Sequence, residues 1–143
     1  MNVIVTDNGF ESDTWSNIFL TLDKLLLINP KSTNKFSLDV PNTTDPKELA
    51  PLFACISLIR IAFLNSTDGR GFTLASHLRL LGYKGRLRAQ GHVLADQYTM
   101  ARRCGYDEIE ISIELADRQP EKQWLSRSDW KSNCYINQLK QLA

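Results

Sequence analysis

The sequence predicts an α/β fold: a singly wound β-α-β-α-β core with parallel strands, short N-terminal strands and a partly helical C-terminal tail. Three observations predict it. Strand candidates at 58–64, 85–90 and 108–114 alternate with two amphipathic helix candidates. Each of the first two strands runs into a polar, glycine-containing loop before its helix. The second and third strands alternate strictly, so that each has one apolar and one charged face.

The first forty residues read as short strands and turns. Val3-Ile4-Val5 is a strand candidate, closed by the turn signal Asp7-Asn8-Gly9. Asp13-Thr14-Trp15 opens a segment without a clear period, and Leu25–Ile28 is a short apolar run stopped by Asn29-Pro30. Phe36–Val40 alternates as a half-buried strand does. Asp45-Pro46-Lys47-Glu48 then supplies an N-cap, a proline at the first helical position and a glutamate three residues on. Leu49, Leu52, Phe53 and Ile56 follow at helical spacing.

The run 58–64 is apolar on both faces except at Arg60 and reads as a central strand. After the polar loop 65–71, Thr73 is a cap candidate for a helix carrying Leu74, Ala75, Leu78 and Leu81, ended by Gly82. A third helix is marked by Leu94, Tyr98 and Ala101 and closed by Arg102, Arg103 and Gly105. Residues 108–114 form the last strand, and Gln119-Pro120 precedes a polar tail containing Trp124 and Trp130.

Right-handed crossovers between neighbouring parallel strands place both connecting helices on one side of the sheet. Leu87, Ala89, Ile109, Ile111 and Ile113 then face the helices. Arg86, Arg88, Gln90, Glu108, Glu110 and Ser112 face away, joined by Arg60. Arginines and glutamates so placed can pair across strands, each pair contributing about 0.2–1 kcal/mol. This is the local grammar of a β/α barrel, but eight units need about 250 residues. The alternatives are a partial barrel covered by the N-terminal segment or a second subunit, and a mixed sheet with one solvated face. A homodimer is expected on the first.

The 143 residues make one domain, with its core over 45–114. A net charge of +1 argues against a nucleic-acid binder, which normally carries a basic excess. No stretch approaches the roughly 18 apolar residues of a membrane span. The N-terminus lacks the pattern of a signal peptide, so a cytoplasmic location is expected. Cys55, Cys104 and Cys134 are odd in number and far apart, as reduced thiols are; the first two read as small core residues.

Ligands of α/β proteins bind at the carboxyl ends of parallel strands. That places Asp68-Gly69-Arg70-Gly71 and the loop from Gly91 to Gln97 on one rim. Candidate catalytic residues are Asp68, His92 and Asp96; candidate ligand-binding residues are Asp68, Gly69, Arg70, Gly71, Arg88 and Gln97. Arg70 and a helix N-terminus suit an anion, and His92 is a candidate acid or base. Each has a structural reading too: Asp68 pairing with Arg70, Gly71 making room for the helix, Asp96 favouring a first turn, Gln97 bonding a loop. His77 reads as a boundary residue. No metal site is expected and no cofactor is evident, since GxGxxG, CxxC and clustered cysteines are missing.

Residues 66–75 (STDGRGFTLA), 81–89 (LGYKGRLRA), Asp96-Gln97 and 103–107 (RCGYD) together resemble a bacterial uncharacterised-domain family. Its members carry labels linking them to sulfite reduction as oxidoreductases. The resemblance is strong over 57–113 and faint outside. It implies a setting in sulfur assimilation beside a sulfite or nitrite reductase, and no demonstrated activity. This chain has His92 where the family typically carries an acidic residue, and Gln90 where a small apolar residue is usual. Two functions are therefore carried forward: an auxiliary protein of assimilatory sulfite reduction acting with a reductase, and a small anion-binding enzyme with its site at the strand ends.

Overall fold

The computed structural model describes residues 2–15, 18–28 and 35–131. Seven strands form one sheet: β1 (Asn2–Thr6), β2 (Gly9–Ser12), β3 (Phe19–Thr21), β4 (Phe36–Val40), β5 (Ile56–Phe63), β6 (Arg86–Gly91) and β7 (Glu108–Ser112). Their order is β2-β1-β7-β6-β5-β4-β3. β3 to β7 are parallel and wound in sequence order, while β1 runs antiparallel to both β2 and β7. The singly wound core is as the alternation predicts.

Six helices follow: α1 (Leu22–Ile28), α2 (Pro46–Leu49), α3 (Arg70–Leu80), α4 (Tyr98–Cys104), α5 (Ile113–Arg118) and α6 (Glu121–Leu125). Leu25, Leu49, Leu78, Tyr98, Leu115 and Trp124, one from each, join Leu38, Ile59, Ile61, Leu87, Ala89, Ile109 and Ile111 in one buried cluster. The helices thus cover a single face. Each such fully buried aliphatic side chain contributes roughly 1.5–3 kcal/mol. Trp124 is 1% exposed and packs edge-on against Tyr98, so it is a core residue. Cys55 is buried and Cys104 packs against the core; Cys134 lies outside the described residues.

Several local expectations are corrected. The apolar run 25–28 lies in α1, not in a strand. The helix after Asp45 is capped as read, with Asp45 Oδ1 accepting from Lys47 N at 3.0 Å, but lasts one turn. Pro51 has no N–H to continue the ladder, so the chain tightens into a 3-10 turn over Ala50–Cys55 and Ile56 opens β5. Thr73 is not a cap: α3 starts at Arg70, and the Asp68 carboxylate accepts from Arg70 N at 3.1 Å. Gly82 and Gly105 end their helices with positive φ, as expected. β7 stops at Ser112, whose hydroxyl caps α5 by accepting from Leu115 N at 3.1 Å. Ile113 is consequently helical and 47% exposed, instead of facing the core.

The other sheet face carries the predicted charges, and it is largely enclosed. β2 and β3 sit at opposite edges, and Asp13, Trp15 and Phe19 lie across the face between them. Asp13 reaches Arg88, Trp15 Nε1 donates to Ser37 Oγ at 2.6 Å, and the Phe19 ring lies 3.7 Å from the Arg60 guanidinium. Of the coverings expected, the N-terminal segment supplies this one. Beneath it, Arg88 pairs with Glu108 at 2.7 Å and Glu110 at 2.8 Å, Arg60 with Asp39 and Glu110, and Arg86 with Glu108.

Burial works to raise the Glu110 carboxyl, but hydrogen bonds from Asn2 and Arg88 and the charge of Arg60 hold it below its ordinary value. Asp7 is lowered likewise: burial opposes ionisation, and Tyr98, Trp130 and Arg102 overcome it. Carboxyls depressed in the folded state contribute stability above their unfolded values of about 4 and lose it as pH falls through the folded values. The urea midpoint is therefore expected to stay level from pH 7 to about 5 and fall below about 4. Glu110→Gln should show a shallower acid limb in the same titration.

Candidate functional site

The rim at the strand carboxyl ends is built from residues 41–45 after β4, 64–69 after β5, 92–97 after β6, and the turn of Ser112 into α5. Hydrogen bonds order the first two loops together. Asp68 accepts from Arg70 Nε at 3.0 Å and Nη2 at 2.8 Å, and from Asn42 Nδ2 at 3.1 Å. These bonds, those of Arg70 foremost, hold the Asp68 carboxyl well below the usual carboxylate range. Such a carboxylate is a weak proton acceptor. The Arg70 side chain is 63% exposed and lines a cavity of about 370 Å³ with Asn42, Thr44, Thr73 and His77.

Gly71 is a packing residue, because a Cβ there would overlap the Phe63 ring. Gly69 faces open space at φ −83, so the backbone does not demand glycine there. The Gly71 carbonyl accepts from the buried Tyr106 hydroxyl at 2.8 Å, which ties the RCGYD segment to the DGRG loop. Tyr106→Phe would remove that bond and leave the carbonyl to the helical ladder of α3 alone. A loss of about 0.5–1.5 kcal/mol is expected by urea denaturation, with the spectrum of the fold retained.

In the second loop, His92 N donates to Phe63 O at 3.0 Å. Gln97 accepts from Leu94 N at 2.9 Å and donates to Ser66 O at 2.7 Å, so it clamps the two loops together. Asp96 is exposed in the first turn of the 3-10 segment Ala95–Gln97. His92 is exposed and stands between two cavities that share it and Leu64. One, about 290 Å³, includes Asn2, Gln90, Glu110 and Ser112; the other, about 390 Å³, includes Asn65, Ser66, Arg118 and Gln119.

The sequence candidates are thus divided. Asp68 and Arg70 sit together near His77, His92 lines different cavities, and Gln97 bonds between the loops. Arg88 lies within the sheet, 1% exposed, its guanidinium spent on Glu108, Glu110 and Asp13. Sequence reasoning missed Asn42, Asn65, Arg118 and Gln119. The last two were hidden because the alternation seemed to carry the strand past Ser112. Among the described residues no group of three or more His, Cys, Asp or Glu is placed to hold a metal ion. No helix among them is long and apolar enough to cross a membrane.

Fold and rim define a singly wound α/β fold with the helices among the described residues on one sheet face and open cavities at the strand carboxyl ends. Residues 37–141 match the family model described as bacterial protein of unknown function (DUF934), and the chain belongs to that family. The match extends beyond 57–113, starting in β4 and including every rim loop. No curated protein matches the chain.

Proposed function

We propose that this protein is an auxiliary of assimilatory sulfite reduction that works bound to a sulfite or nitrite reductase in the cytoplasm and performs no catalysis itself. The setting comes from the family resemblance. The observation that supports an auxiliary role is the commitment of the motif residues to the fold: Asp68 to Arg70 and Asn42, Gln97 to the two loops, Tyr106 to Gly71, and Asp107 to Leu87 N and Arg79. Groups so engaged hold a surface in shape. The test is capture of purified sulfite reductase by the immobilised protein, with reductase turnover measured with and without it. Association with altered turnover is expected; no association at micromolar concentrations would sink the reading.

A second reading, an anion-binding enzyme with its site at the strand ends, is favoured by the exposed Arg70 guanidinium beside its cavity. Millimolar sulfite or phosphate would then raise the melting temperature, and Arg70→Ala would abolish the rise.

A further inference from the structure

We infer that the rim holds an oxyanion site in the cavity between His92 and the α5–α6 turn, formed by Asn65, His92, Arg118 and Gln119, and not at Arg70. The hydrogen-bond wiring carries the inference. Asn65 Oδ1 is occupied by Thr67 N at 3.0 Å and Thr67 Oγ1 at 2.7 Å. Gln119 Oε1 is occupied by Ala95 N at 2.6 Å. An amide whose oxygen is taken presents its N–H2 group, and neither N–H2 group has an intramolecular partner among the described residues. Buried side-chain nitrogens and oxygens all have partners there, so these donors are open to solvent.

Arg118 is exposed and has no ion-pair partner among the described residues; the His92 side chain has none either. The lining contains the Arg118 cation, four further polar residues (Asn65, Ser66, His92 and Gln119), and no carboxylate. At Arg70 the opposite holds: the Asp68 carboxylate already takes Nε and Nη2 and so occupies the place an anion would want. The arginine fork suits sulfate- and phosphate-like oxyanions in charge and geometry, and the two amides line the same cavity. A cavity of about 390 Å³ has room for such a group free or as the head of a larger molecule. On the far side of His92 the wiring reverses. Asn2 and Gln90 give their N–H2 groups to Glu110 at 2.8 and 2.9 Å, which leaves their amide oxygens as acceptors beside the adjoining cavity.

The inference moves the site of the anion-binding reading from Arg70 to Arg118, so the two placements predict opposite behaviour of Arg70→Ala, and it stands apart from the reductase reading. The experiment titrates sulfite, sulfate, phosphate and adenosine 5′-phosphate at low millimolar concentration and matched ionic strength, below the range where sulfate stabilises proteins generally. Melting temperature is read together with side-chain NMR of His92 and the Gln119 N–H2 group. Wild type and Arg70→Ala should gain stability and show moving resonances, and Arg118→Ala should lose both. A response to inorganic anions assigns the site to a free ion, and a response to the nucleotide alone assigns it to an oxyanion head. Loss in Arg70→Ala with retention in Arg118→Ala would overturn this site and keep the second reading. No response in wild type would overturn both.

Discussion

Arg88→Met should lower stability by about 3–5 kcal/mol, a large share of the 5–15 kcal/mol typical of a domain. Arg88 is 1% exposed, and so is Glu108; Glu110 is 3% exposed. Methionine fills much of the arginine volume, so the expected loss comes from charge and not from a cavity. Glu110 would retain Arg60, Asn2 and Gln90. Glu108 would retain only Arg86, whose side chain is 46% exposed and which bonds a carboxylate otherwise closed to water. A buried carboxylate left with one solvated partner must protonate or draw in water, and either costs free energy. The N-terminal covering at Asp13 would loosen too, because Asp13 holds Arg88 at 3.3 Å. Urea denaturation at pH 7 checks the size of the effect. Arg88→Met combined with Glu108→Leu should recover part of the loss, since removing both charges is far cheaper than stranding one. A single-variant loss under about 1 kcal/mol would mean that the pair behaves as a surface ion pair.

That network was legible in the sequence because strands of period two state which residues share a face. Arg88 and Gln90 register with Glu108 and Glu110 across β6 and β7, as the alternation implies, and Arg86 reaches Glu108 through its side chain. What enclosed the charges was not legible. Asp13, Trp15 and Phe19 carry no period, and their partners Arg88, Ser37 and Arg60 lie 22 or more residues away along the chain. The helix ends were readable where glycine set them, at Gly82 and Gly105. They were not where a side chain did: Ser112 looks like one more polar residue of an alternating strand until its hydroxyl is seen accepting from Leu115 N. That one misplaced boundary also hid Arg118 and Gln119, which α5 returns to the rim. The two loops at the strand ends were found because glycine beside polar residues marks them. The bond from Asn42 to Asp68, which ties the loop after β4 to the one after β5, is announced by no local spacing.

Gly91→Ala should be the other costly change, and it reaches the rim directly. Gly91 has φ +116, a conformation that side-chain-bearing residues rarely adopt. A Cβ built there would also fall on the Phe63 carbonyl oxygen. That oxygen belongs to the neighbouring strand and accepts from His92 N at 3.0 Å, so it cannot move aside without breaking the bond that sets the loop. Strain of about 1–3 kcal/mol from the backbone and a similar amount from the overlap give an expected loss of about 3 kcal/mol or more. Gly69→Ala is the matched control, because its Cβ would meet nothing within 4 Å and its φ of −83 suits any residue. It should change stability by less than about 0.5 kcal/mol. The pair separates the backbone's requirement from the ligand's. Gly91→Ala that still folds at low temperature should carry a displaced His92 and respond weakly to sulfite or phosphate, while Gly69→Ala should respond as wild type does. A Gly91→Ala protein as stable as wild type would show that the loop relaxes freely, and the rim would then not be the preorganised surface that both cavities at His92 require.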